Sequence, residues 1–289
     1  MNKVFVFAFA GFLFVQLLAV FVGGQFIGLV DAGLAEPMLS DPSDPANSVF
    51  FFAYIVLSAV ALLFVLKYYK GNKLFLLLEL ALVFISFQTL ALFFDETGWF
   101  SLLVGAAAVG LRLWKPVVRN PLLLVCSAVV GGLLGASFDL LPAVLLAVLL
   151  SAYDVIAVFY TKHMITLAKE LGSRDATFSV RFSENPLQPA PALRVVKPHG
   201  PNAKRNSMEL GTGDLVIPAF LAAACLKVPG KVLLLGGFSL SGAAVAAVIG
   251  SLAGMLFIFV VLQKRGGYLP ALPPLAGGAL LAIATYLVV

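Results

Sequence analysis

The sequence predicts an all-α, polytopic membrane protein with nine transmembrane helices, N-terminus cytoplasmic and C-terminus outside. Three observations lead there. Of 289 residues, 61% are hydrophobic and only 11% charged, whereas a soluble domain carries roughly 25% charged residues. Apolar runs of about 18 residues or more, enough to cross a hydrocarbon core about 30 Å thick, recur along the whole length. The basic residues fall between those runs, nearly all of them in alternate loops. The runs lack the strict alternation of a membrane strand, and lipid offers backbone groups no other partner, so the spans are helices.

In order, the spans are expected near 4–30, 49–66, 74–94, 99–114, 121–138, 140–161, 209–227, 233–262 and 269–289. The first follows Lys3, and its apolar stretch is about twice the core of a secretory signal, so it reads as a retained helix. Residues 121–161 are too long for one crossing. Gly131-Gly132, Gly135 and Ser137-Phe138-Asp139 offer a turn there, and Pro142 suits the first turn of the following helix. Residues 170–208 are polar and carry Pro186, Pro189, Pro191, Pro198 and Pro201. Such a run buries too little to order itself and is expected to be a mobile cytoplasmic linker. The chain therefore divides into helices one to six (1–161), the loop (162–208) and helices seven to nine (209–289). No repeat at a fixed period is visible.

Charge sets the orientation. With the N-terminus inside, Lys3, Lys67, Lys70, Lys73, Arg112, Lys115, Arg119, Lys264, Arg265 and the eight basic residues of 162–208 are all cytoplasmic. Of the 19 lysines and arginines, that leaves Lys227 and Lys231 outside. The outer loops carry Asp31, Glu36, Asp41, Asp44, Asp95, Glu96 and Asp139. This is the positive-inside bias, and it requires an odd number of spans. The net charge of +5 is thus a topology signal, not a nucleic-acid footprint. Cys126 and Cys225 lie inside apolar segments without ligand-like spacing and read as small buried hydrophobes.

Acidic residues at membrane depth carry the chemistry. Glu79 stands six residues beyond Lys73, near enough to reach the inner surface or pair with a loop lysine. Asp154 and Asp214 differ. Asp154 precedes Lys162 by eight residues, hence lies about 12 Å below the inner surface at about 1.5 Å per residue. Asp214 follows Glu209 by five residues in a helix running the other way, about 8 Å from the same surface. Sixty residues apart in sequence, the two carboxylates come to similar depth. Each is expensive in lipid, which makes intramembrane carboxylates functional by default. Facing each other, they cannot both be ionised, and the pair would hold one proton near neutral pH. That arrangement lets one member take a proton from water while the other polarises a peptide carbonyl.

Around the second aspartate the chain reads Gly211-Thr212-Gly213-Asp214-Leu215-Val216-Ile217-Pro218. Two glycines in a first helical turn remove side-chain bulk and let another backbone approach. Pro218 leaves the Asp214 carbonyl without its usual amide partner. The last helix opens Tyr268-Leu269-Pro270-Ala271-Leu272-Pro273-Pro274. An irregular start is expected, abutting the aspartate site, because irregular backbone at membrane depth needs protein or water around it.

Tyr153-Asp154, Gly211-Thr212-Gly213-Asp214 and Pro270-Ala271-Leu272 resemble the YD, GxGD and PAL motifs of the presenilin and signal peptide peptidase family of intramembrane aspartyl proteases. Their order and their helices (six, seven and nine) match as well, and the layout resembles most the compact archaeal presenilin homologues. Thr212 stands where the family usually has leucine. The orientation matches presenilin, since signal peptide peptidases are inverted. The resemblance implies an intramembrane-cleaving aspartic endopeptidase with Asp154 and Asp214 as the catalytic pair. It further implies that Tyr153, Gly211, Thr212, Gly213, Pro270, Ala271 and Leu272 shape the substrate site, and that no cofactor or metal is needed. The expected partners are single-pass transmembrane substrates and membrane lipid, in the cell membrane, with no nucleic acid and a homo-oligomer left open. An unwound substrate stretch is expected beside Gly211–Gly213, pairing as an added strand. The rival reading is an ion- or proton-coupled transporter, or a cation leak channel, using the same two aspartates as a relay. The lack of a repeat, and of polar residues lining the outer half of helices six and seven, counts against it.

Overall fold

The computed structural model describes residues 3–69, 71–95, 98–160, 178–183, 207–230, 232–235, 238–265 and 270–288. Among these, the helices are α1 (Lys3–Asp31), α2 (Ala46–Tyr68), α3 (Lys73–Leu92), α4 (Trp99–Trp114), α5 (Arg119–Ser137), α6 (Leu140–Val155), α7 (Thr212–Ala224), α8 (Gly242–Arg265) and α9 (Leu272–Val288). Two antiparallel strand pairs accompany them, β1 (Ser179–Ser183) with β2 (Ser207–Gly211) and β3 (Val232–Leu235) with β4 (Phe238–Ser241). Among the described residues, six stretches are long and apolar enough to cross a membrane: α1, α2, α3, α5, Leu140–Tyr160 and Gly242–Leu262. The shorter α4 and α9 are also apolar.

The break within 121–161 falls where the sequence places it. Phe138 turns extended after α5, and Asp139 precedes α6 with φ −81° and ψ 167°. The Ala143 N–H then closes the first turn on the Asp139 carbonyl at 3.1 Å. Pro142 sits in that turn, where no N–H is needed. Asp139 also accepts from Lys227 Nζ at 3.2 Å, tying the start of α6 to the end of α7.

α1 runs through the middle, with Ala8, Phe12, Val15, Ala19 and Val22 fully buried. A Cβ added at Gly132 would stand 2.5 Å from the Ala19 carbonyl oxygen, and one at Gly131 would stand 2.8 Å from Ala219 Cβ. α5 therefore meets α1 and α7 almost backbone to backbone. Membrane helices associate this way through small residues, since lipid supplies no hydrophobic drive between them.

Two expectations need correction. The linker over 170–208 is not structureless throughout, because Ser179–Ser183 forms β1 and pairs with Ser207–Gly211. Its polar average hides a period of two. Val180, Phe182 and Leu210 are buried against Val4, Ala8 and Phe12 of α1, while Ser179 and Arg181 both donate to Glu209. All five prolines named in that loop lie outside the described residues, as do Tyr268 and Leu269. The second correction concerns 233–262, whose first residues are strands and not helix. Gly236-Gly237 between them is a hairpin signal in the sequence that the apolar composition conceals.

Glu79 is fully buried and finds arginines instead of the surface or a lysine. Arg112 Nε lies 2.6 Å from Oε1, and Arg119 Nε 3.4 Å from Oε2. This cluster joins α3, α4 and α5 at the end of the bundle where β1 and β2 dock.

Candidate active site

Asp154 lies in the last turn of α6, just before a π-helical turn over Ile156–Tyr160. Such turns are rare and concentrate at functional sites. Asp154 Oδ2 accepts the Leu272 N–H at 3.2 Å. That donor is available because Leu272 stands in the first turn of α9, where N–H groups have no partner within the helix. Leu272 opens α9, Pro273 and Pro274 have no N–H to offer, and the Leu275 N–H is taken by the Ala271 carbonyl at 3.3 Å. Only Pro270 of the three prolines precedes the helix, so α9 starts more regularly than expected. Its first turn points one free donor, and the positive end of its dipole, at a carboxylate.

Asp214 lies in the first turn of α7, which follows β2 without a gap. Gly211 is both the last residue of β2 and the cap of α7, with φ −64° and ψ 146°. Thr212 fixes the junction twice. Its N–H and its Oγ1 both donate to the Phe178 carbonyl, at 3.1 and 3.0 Å. A Cβ on Gly211 would stand 3.2 Å from Asp214 Oδ2. A Cβ on Gly213 would meet nothing within 4 Å, and Gly213 is exposed. Both aspartates are half-buried, and the helices that carry them pack together with α9 through Leu146, Leu150, Phe220 and Leu272. The Tyr153 ring stands edge-on to Phe52 of α2, with centroids 6.1 Å apart. Ala271 packs into the cluster around Met255 and Leu275, and Leu272 against Leu146, Leu150 and Phe220.

The two edges of the β1–β2 pair are unequal. Asn120 Nδ2 donates to the Arg181 carbonyl at 2.7 Å, and Asn120 Oδ1 accepts the Arg181 N–H at 3.5 Å. Arg119 reaches the Ser179 carbonyl at 3.5 Å. These side chains from the start of α5 cover the outer edge of β1. Since the Arg181 backbone turns away from β2, its partner Glu209 must turn away from β1, and so must Gly211 opposite Ser179. The edge of β2 that carries the backbone groups of Glu209 and Gly211 leads straight to Asp214.

The family model for signal-peptide peptidase and presenilin aspartyl proteases matches residues 9–289. The chain belongs to that family. It is an intramembrane aspartyl protease and an integral membrane protein. Two solved structures, each titled as a presenilin family intramembrane aspartate protease, share its fold. The one in a C222 crystal form aligns with a TM-score of 0.64 at 24% identity, covering 96% of this chain and 97% of that one. The one in a P2 form gives 0.61 at 24% identity, covering 96% of each. No curated protein matches.

In this protease the structure sets Asp154 against Leu272 and Asp214 against Gly211, residues that the sequence motifs group in one site. Sequence reasoning misses Asn120 and Arg119, which hold β1, and Gln16, which is buried in α1 against α7. The period-two pattern of Val180-Arg181-Phe182 and Met208-Glu209-Leu210 was a visible signal for the strands. Asn120 gave none.

Proposed function

We propose that Asp154 and Asp214 are the catalytic pair, and that the protease hydrolyses peptide bonds inside the membrane-spanning segments of single-pass proteins. The observation that carries this reading is the placement of two half-buried carboxylates, sixty residues apart, in the last turn of α6 and the first turn of α7 where those helices pack with α9, in a family of aspartyl proteases. One ionised aspartate takes a proton from water, and the other, protonated, donates to the scissile carbonyl. Attack gives a tetrahedral gem-diol. Collapse breaks the C–N bond as the amine leaving group takes up a proton from the pair. No acyl-enzyme forms, because neither aspartate attacks carbon.

A substrate helix keeps its amides bonded internally, so it must unwind before water can attack. The outward-turned backbone of Glu209 and Gly211 is a template for the unwound stretch to pair with as an added strand. Gly213 leaves room beside it. We further read the chain as crossing a cell membrane nine times with its N-terminus inside, α4, α7 and α9 being the short crossings. The positive-inside charge pattern supports this. So does the Asp139–Lys227 pair, which joins two residues assigned to the outer face.

The test is cleavage of a single-pass reporter by purified protein in lipid vesicles. Asp154→Ala and Asp214→Ala are each expected to abolish it while melting like the parent. Cleavage by either variant would overturn the assignment. Flux of protons or cations that needs both aspartates, without cleavage, would favour a transport role.

A further inference from the structure

Gln16 is fully buried in the middle of α1, where an amide in a membrane helix needs partners. It finds them on α7. Oriented to satisfy its amide, Nε2 donates to the Pro218 carbonyl at 3.2 Å and Oε1 accepts the Ala219 N–H at 3.3 Å. The side chain thus lies along the peptide bond that follows the one proline inside α7. Pro218 has no N–H for the Asp214 carbonyl four residues earlier, so the helix is weakest between the aspartate and that proline. Below the weak point, the first turn is held by the two Thr212 bonds to Phe178. Above it, Gln16 holds the backbone to α1.

We infer that Gln16 is a positioning residue for Asp214, pinning the far side of the proline break so that the first turn of α7 keeps its place. This rests on Asp214 being catalytic. α1 is wedged between α5 and α7 here, with Gly132 against the Ala19 carbonyl, Gly23 against Ala223 and Gly131 against Ala219, so a shift of α1 does not substitute for the lost bonds. Ground-state binding along β2 does not involve Gln16. Its loss therefore acts on turnover and not on substrate affinity.

The experiment compares Gln16→Met, which keeps length and flexibility, with Pro218→Ala, which restores an amide to bond the Asp214 carbonyl, and with the double variant. Reporter cleavage is measured as kcat and KM, and folded protein is counted by thermal melting. Gln16→Met is expected to lower kcat about 10-fold or more with KM within about twofold, because small misplacements of a catalytic group are costly. In the Pro218→Ala background, the same change is expected to lower kcat by less than about threefold. Unchanged kcat in folded Gln16→Met, or equal losses in both backgrounds, would overturn the inference. A parallel rise in KM would also do so, because it would mark a binding role. If Gln16→Met does not fold, Gln16→Glu decides. Its neutral acid keeps a donor and an acceptor, so kcat within about threefold of the parent supports positioning, and a loss above about 10-fold in folded protein contradicts it. The parent and the two Asp→Ala variants are assayed alongside. Cleavage by either aspartate variant would defeat the catalytic assignment itself, whereas an unaffected Gln16→Met beside inactive aspartate variants would defeat this inference alone.

Discussion

The Leu272 N–H donates to Asp154 Oδ2 at 3.2 Å, joining the first residue of α9 to the last turn of α6 across 118 positions of sequence. No other member of the Leu272–Pro274 run has an N–H to give. The bond can be removed without deleting Asp154. Leu272→Pro takes away the donor at a helix position that tolerates proline, and Leu272→Ala removes the side chain but keeps the donor. Leu272→Pro is expected to fall about 10-fold or more below Leu272→Ala in kcat, on the scale of a charge-assisted hydrogen bond of about 1.5–3 kcal/mol. Equal rates for the two would show that the bond is incidental.

Gly211 and Gly213 serve different purposes and should separate by kinetics. A Cβ at Gly211 crowds Asp214 Oδ2 at 3.2 Å, while Gly213 faces open space. Gly211→Ala is expected to lower kcat, by moving the carboxylate a few tenths of an ångström. Gly213→Ala is expected to leave melting unchanged and to raise KM, because the methyl occupies room that a substrate strand uses. Steady-state assays on a single reporter distinguish the two outcomes.

Asn120 closes the outer edge of β1 with a side chain that imitates a peptide group. Asn120→Ala is expected to speed amide exchange at Arg181, whose N–H it accepts, and to lower cleavage through the loosened strand pair. Hydrogen exchange read by mass spectrometry over 179–183 checks this. Unchanged exchange there would mean that burial of Val180 and Phe182 alone holds the strand.

Two ion pairs offer a contrast in stability. Breaking the buried Glu79–Arg112–Arg119 cluster leaves charges without compensation, and Glu79→Ala is expected to cost about 3–5 kcal/mol. The Asp139–Lys227 pair has side chains 43% and 26% exposed, and Lys227→Ala is expected to cost at most about 1 kcal/mol. Denaturant titration of the two variants measures the difference.

Much of this was legible in the chain because membrane helices write their length and sidedness in hydropathy and lysine placement. Asp154 and Asp214 stood out since lipid makes each costly, and Pro270-Ala271-Leu272 because prolines there needed a reason. The strands were not read, because Val180 and Phe182 alternate within a polar, proline-rich stretch, and Val232–Leu235 lies within an apolar one. In each, composition spoke louder than period. Glu79 was seen but its arginines were not, since pairing across α3, α4 and α5 depends on packing. The same holds for Gln16, a single amide in an apolar run until α7 is laid against it.

The most direct test of the central claim is reporter cleavage by Asp154→Asn, Asp214→Asn and the double variant, all quantified as product per folded enzyme. If one proton shared between two carboxylates does the chemistry, each single change should fall to the same floor as the double, since groups that act as a unit are not additive. A single variant that stays clearly above the double would show that its partner works alone, and the account of a joint site would not stand.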